Sequence, residues 1–138
     1  MVILLILACT DSIDDTAPTA TTTGVTFSEN LTFIFDRNCA YTGCHFPPDP
    51  EPNEDGQAGM DLSHGAAYAA IVGVPSDEVP TMMRIAPGDP EGSYLYLKLN
   101  DRQAEVGGTG TRMPTELFLS APEVQMFADW ILAGAPDN

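Results

Sequence analysis

Residues 39–45 read Cys39-Ala40-Tyr41-Thr42-Gly43-Cys44-His45, and their reading decides the fold. Two of the chain's three cysteines and one of its two histidines stand within this short stretch. Two sulfurs and an imidazole so close together admit three chemistries. They are covalent attachment of a prosthetic group, a disulfide beside an unrelated histidine, or part of a metal site. The segments on either side decide among them.

Upstream, Thr26-Phe27-Ser28-Glu29 has the form of a capping box, and Phe27, Leu31, Ile34 and Phe35 follow at helical spacing. This predicts a first helix running straight into Cys39. Downstream, Ser63 is placed to cap a short helix carrying Tyr68, Ile71 and Val72, stopped by Gly73. Asp89-Pro90-Glu91 predicts a third helix with proline at its first position, followed by Tyr94, Leu95, Lys98 and Leu99. Ser120-Ala121-Pro122-Glu123 is a second capping box. Val124, Phe127, Ala128 and Ile131 then form one face, Met126 and Trp130 a neighbouring stripe, and Gly134 ends the helix. No stretch alternates over strand length, so the expected class is all-α, with about four short helices. Residues 46–60, 74–88 and 100–119 are left as long irregular connections. Helices so short and loops so long suggest that something besides side chains fills the centre, and a large apolar cofactor would do so.

The 138 residues allow one domain, and 43% hydrophobic residues suit a globular one. Twenty acids against five bases give a net charge of −15. That repels nucleic acid and anionic membrane surfaces and suits a basic protein partner, or serves solubility alone. The chain opens on an apolar run, Met1 to Cys9, too short to span a bilayer but long enough for a signal-peptide core. Its end, Leu5-Ile6-Leu7-Ala8-Cys9, resembles a bacterial lipobox, which makes Cys9 the expected lipidation site. It departs from that pattern in lacking a basic start and in the bulk of Leu7. Residues 10–25, rich in Thr, Asp and Ala, have a tether's composition. The organisation expected is therefore a signal segment at 1–9, a tether at 10–25 and a domain at 26–138. Export would place Cys39 and Cys44 in an oxidising compartment.

A c-type haem is attached by two thioethers, with a histidine directly after the second cysteine, so that this bond fixes the imidazole beneath the iron. Here the Cys44-His45 adjacency is intact, while the gap between cysteines is four residues in place of the usual two. Gly43 supplies backbone freedom for the extra turn. By itself the motif leaves haem attachment and a disulfide both open.

The rest of the chain adds ordered motifs: "GMDLSHGAAYAAIVG", "RIAPGDPEGSYLYLKL", the loop Arg112-Met113-Pro114, and Trp130-Ile131-Leu132-Ala133-Gly134-Ala135 in the closing helix. With these, residues 27–136 resemble the monohaem c-type cytochrome domains of bacterial periplasmic proteins and lipoproteins, some of which have the wider cysteine spacing. The resemblance implies a cytochrome c-like fold around one covalent haem c attached at Cys39 and Cys44, with iron bound by His45 and Met113. It implies an electron carrier and not an enzyme, exported to the periplasm or outer membrane of a Gram-negative bacterium and exchanging electrons with a redox protein. Two alternatives stand beside it: a haem enzyme or gas sensor whose methionine leaves the iron, and an acidic binding lipoprotein with a Cys39–Cys44 disulfide and no haem.

Arg84, Lys98 and Arg112 are candidates for the haem propionates, and Trp130 for contact with the haem. A backbone carbonyl near Pro47 and Pro48 is the expected acceptor for the second ring nitrogen of His45. Competitors for the sixth position are His64, Met60, Met82 and Met83. Glu51, Asn53, Asp55 and Gly56 sit at offsets faintly like a calcium loop, but Leu62 stands where a bidentate glutamate is needed. Zinc on Cys39, Cys44 and His45 lacks a fourth ligand at sensible spacing.

Overall fold

The computed structural model describes residues 24–47 and 56–138. Cys9, the segment 1–9, residues 10–23 of the expected tether, and Glu51, Asn53 and Asp55 lie outside these. Among the described residues there are four α-helices and no strand, only isolated single-residue bridges. The all-α expectation holds at this level.

The first helix starts with a π-helical turn, Phe27–Leu31, that passes into α1, Thr32–Asn38. Its cap is a variant of the expected box. The Thr26 hydroxyl accepts from the Glu29 amide at 3.4 Å, but the Thr26 amide donates to the Asn30 side chain at 2.8 Å and not to Glu29. The wider π turn brings the next residue round to face the cap. Phe27, Leu31, Ile34 and Phe35 are buried, as their spacing predicts.

Two helices start later than the sequence suggests. Ser63 sits in a turn whose carbonyl accepts from Ala66 and Ala67, and α2 spans only Ala67–Ile71. Val72 is already extended there, and Gly73 turns with φ +68°. Asp89-Pro90-Glu91 makes a separate turn, because the Asp89 carboxylate accepts from the Gly92 amide at 2.9 Å. The Asp89 carbonyl also accepts from the Ser93 hydroxyl at 2.7 Å, so α3 starts only at Tyr94 and ends at Leu99. Aspartate closes such turns on its own backbone as readily as it caps a helix. The last helix, α4, spans Ala121–Leu132 with Pro122 in its first turn and the Ser120–Glu123 capping box formed. The Ser120 amide donates to the Glu123 carboxylate at 2.7 Å.

The described residues share one apolar core. Trp130, Phe35 and Phe127 are fully buried, and Phe27 and Tyr68 complete an aromatic cluster with ring centroids 5.2 to 6.4 Å apart. Leu31, Ile34, Ile71, Ile85 and Ile131 surround it. Each such side chain contributes about 1.5–3 kcal/mol when buried. The irregular segments take part: Ile85 lies in one, is fully buried, and is pinned by its amide to the Ile71 carbonyl at 3.0 Å. Asn138 closes the fold by accepting from the Ser28 amide through its carbonyl and from the Phe27 amide through its side chain, both at 2.8 Å.

Candidate functional site

Helix α1 delivers Cys39, whose amide still donates to the Phe35 carbonyl at 2.8 Å. The chain then folds back on itself. The Cys39 carbonyl accepts from Tyr41 at 3.0 Å and from His45 at 3.2 Å, and Cys44 donates to Tyr41 at 2.9 Å. Gly43, at φ +86°, makes the reversal that the four-residue gap requires. Cys39 and Cys44 are both free thiols, the first half-buried and the second exposed. Burial, followed by the nearby Cys44 sulfur, pushes the Cys39 thiol up to about 12.

Residues 56–62 cover this loop from outside. The Gln57 amide donates to the Cys44 carbonyl at 2.7 Å, and the Leu62 amide to the His45 carbonyl at 2.8 Å. Nδ1 of His45 lies 3.0 Å from the Gln57 carbonyl. A carbonyl only accepts, so Nδ1 carries a proton, and in a neutral ring the lone pair is then on Nε2. This acceptor, Gln57, lies within the 3-10 turn Gln57–Gly59, while Pro48 of the expected pair lies outside the described residues. Sequence position next to His45 does not point to this carbonyl, which belongs to a residue twelve positions on.

Met113 lies elsewhere, in the loop before α4. It is half-buried, its amide donates to the Lys98 carbonyl at 3.2 Å, and the following Pro114 is buried. Beside it a cavity of about 360 Å³ opens between α3, Arg112 and the start of α4, lined by Tyr96, Leu99, Leu119 and Val124 among others. His45 is not part of that lining. Leu117 and Phe118, in the same loop, are about 60% exposed.

The basic candidates separate clearly. Arg84 donates to the carbonyls of Ala70 and Ala58 at 2.7 Å and of Gly59 at 3.2 Å. Its burial pushes the guanidinium below its usual value, against the opposing pull of Asp77. Lys98 is 2.9 Å from Glu78 and donates to the Thr109 carbonyl at 2.6 Å. Both have structural work that sequence alone did not suggest. Arg112 stacks over the Phe118 ring at 3.6 Å and lines the cavity, which leaves it the base best placed for an anionic group there. Trp130 is at the heart of the core, and its Nε1 donates to the Pro136 carbonyl at 2.9 Å, so its polar handle is already used.

Among the competitors, the His64 side chain is 78% exposed and lies 4.0 Å from Asp36 on the outer side of α1. Met60 packs partly against the core, and Met83 is exposed. Gly56, last member of the faint calcium pattern, turns at φ +83° against the His45 backbone. No group of three or more metal-ligating His, Cys, Asp or Glu side chains occurs among the described residues. No helix among them is long and apolar enough to cross a membrane.

As chemistry, the donor set suits a c-type haem: two thiols for thioether bonds, an imidazole presenting Nε2 next to the second, and a methionine thioether on a separate loop. What the sequence did not reveal is the Gln57 carbonyl, because nothing in a glutamine's side chain announces a role for its backbone. No family model, no curated protein and no solved structure matches the chain.

Proposed function

We propose that this chain is a single-haem electron carrier of the cytochrome c type. In this reading Cys39 and Cys44 would hold the haem covalently, and His45 and Met113 would hold its iron. The observation that carries the reading is the His45 Nδ1–H bond to the Gln57 carbonyl at 3.0 Å. It fixes the tautomer that presents Nε2 as a metal donor in the residue directly after Cys44, the arrangement in which second partners orient ligand imidazoles.

When bound, the haem supplies one-electron Fe(III)/Fe(II) cycling, and a thioether ligand favours the reduced state relative to a second histidine. The chain's own residues then have plain tasks. His45 and Met113 hold the iron, Leu99, Leu119 and Val124 offer apolar surface, and Arg112 is positioned for a propionate. No residue is assigned as acid, base or nucleophile, and the protein is not proposed to be an enzyme. The charge of −15 favours a redox partner with a basic docking surface. Cys9, as a lipidated N-terminus, would tether the carrier at the periplasmic face of a membrane.

Producing the full chain in cells with a cytochrome c maturation system tests this directly. A denaturing gel stained for haem peroxidase activity should show a band at the protein's own mass, and the intact mass should rise by one haem. A colourless product beside a normally matured control cytochrome overturns the reading in favour of the acidic lipoprotein with a Cys39–Cys44 disulfide.

A further inference from the structure

Arg84 stands where three segments meet. Its amide donates to the Val74 carbonyl at 2.7 Å, and its carbonyl accepts from Leu95 in α3 at 3.0 Å, so its backbone is fixed to the body of the fold. From there its guanidinium reaches Ala58 and Gly59 on one side and Ala70 of α2 on the other. Ala58 and Gly59 belong to the turn whose first residue, Gln57, accepts the His45 Nδ1 proton. The turn is three residues long with Ala58 at φ +59°, and backbone bonds from the Gln57 amide to Cys44 at 2.7 Å and from the Gly59 amide to Gly56 at 3.1 Å leave the Ala58 and Gly59 carbonyls to Arg84. A rigid fork of donors suits several carbonyls at once, which a single ammonium does not.

We infer that Arg84 is a positioning residue for His45, acting through the Gln57–Gly59 turn, and not a propionate ligand. For its effect on the iron this rests on the haem reading, but its effect on the imidazole does not. The bond it protects raises the basicity of the ring, so weakening it makes His45 a poorer donor to any metal at Nε2.

The test follows the His45 Nδ1–H proton by NMR in the 15N-labelled full chain, in whichever form the chain is isolated, at a pH where the ring is neutral. Arg84→Met keeps the apolar stem and removes the donors, and Arg84→Lys keeps the charge but not the fork. In both, exchange of the Nδ1–H with water should accelerate at least tenfold. The Trp130 Nε1–H, bonded to Pro136 in the core, serves as control and should not change. Where haem is present, the reduction potential should shift upward in both variants. Unchanged Nδ1–H protection in either folded variant overturns the inference. So does equal loss of protection at Trp130 in both, since Arg84 would then serve the fold at large. Isolation of the chain without haem removes the functional reading yet leaves this readout intact.

Discussion

The loop that carries His45 and the loop that carries Met113 are held by different kinds of bond. Around His45 the bonds are mostly backbone to backbone, from Gln57 and Leu62, with Gly56 packed against the histidine's own main chain. Around Met113 one backbone bond, from its amide to the Lys98 carbonyl at 3.2 Å, is joined by charged side chains that hold Lys98 and Thr109. The Glu78 carboxylate accepts from Tyr94, from Lys98 at 2.9 Å and from Thr109 at 3.2 Å. Lys98 in turn presents its carbonyl to the Met113 amide. Backbone bonds depend little on pH or salt, while a lock of partly exposed charges depends on both. The proximal side of the proposed site is thus the fixed one and the methionine side the adjustable one.

The largest effect that bears on this contrast is expected from Met113→Ala. In the haem-loaded protein proposed above, haem should remain attached, since Cys39, Cys44 and His45 are untouched, but the position proposed for Met113 should open. Carbon monoxide should then bind the reduced form, and the potential should fall. His64→Ala, exposed and beside Asp36, should change none of this. A native spectrum for Met113→Ala together with a lost one for His64→Ala would make the iron bis-histidine and remove the contrast.

Next in size is Gly56→Ala, which probes the fixed side. A Cβ at Gly56 would stand 2.9 Å from the Met60 carbonyl oxygen and 3.4 Å from the His45 Cα, on a backbone at φ +83°. Left-handed strain and crowding together should cost about 2–4 kcal/mol. Thermal unfolding would measure it. A melt within experimental error of the wild type would show that the turn moves freely against His45.

The smallest effect concerns Glu78. Burial pushes its carboxyl up, but hydrogen bonds from Tyr94, Lys98 and Thr109 with the Lys98 charge outweigh this and hold it below the ordinary glutamate value. Its folded-state affinity for protons is lower than in the unfolded chain. The stabilisation is therefore present above the ordinary value of about 4.3 and is lost as pH falls below it, through the folded value. With the side chain a third exposed, solvent screening keeps the contribution to about 0.5 kcal/mol. Glu78→Gln should flatten the acid slope of stability below about pH 4.3 and speed amide exchange at Met113 already at neutral pH. An acid slope identical in both proteins would mean that this carboxylate does not hold the methionine loop.

Much of this was legible in the residues. The buried faces of the first and last helices followed from spacing, because a 3.6-residue period needs no knowledge of the partner that covers it. The Ser120–Glu123 cap was equally local. The late starts of α2 and α3 were not legible, since serine and aspartate serve turns and caps with the same short side chain, and only the packing of Tyr94 and Ala67 selects between them.

For the site the division is similar. Sequence alone placed two cysteines, a histidine and a methionine in an order that resembles that of c-type cytochrome domains, since covalent adjacency is a property of the chain. The tertiary structure alone decided that an aromatic core fills the centre, that Arg84 and Lys98 are engaged by carbonyls and a carboxylate, and that the carbonyl orienting His45 belongs to Gln57. These depend on contacts between residues far apart in the chain, and a backbone carbonyl carries no side-chain identity from which such a contact can be read.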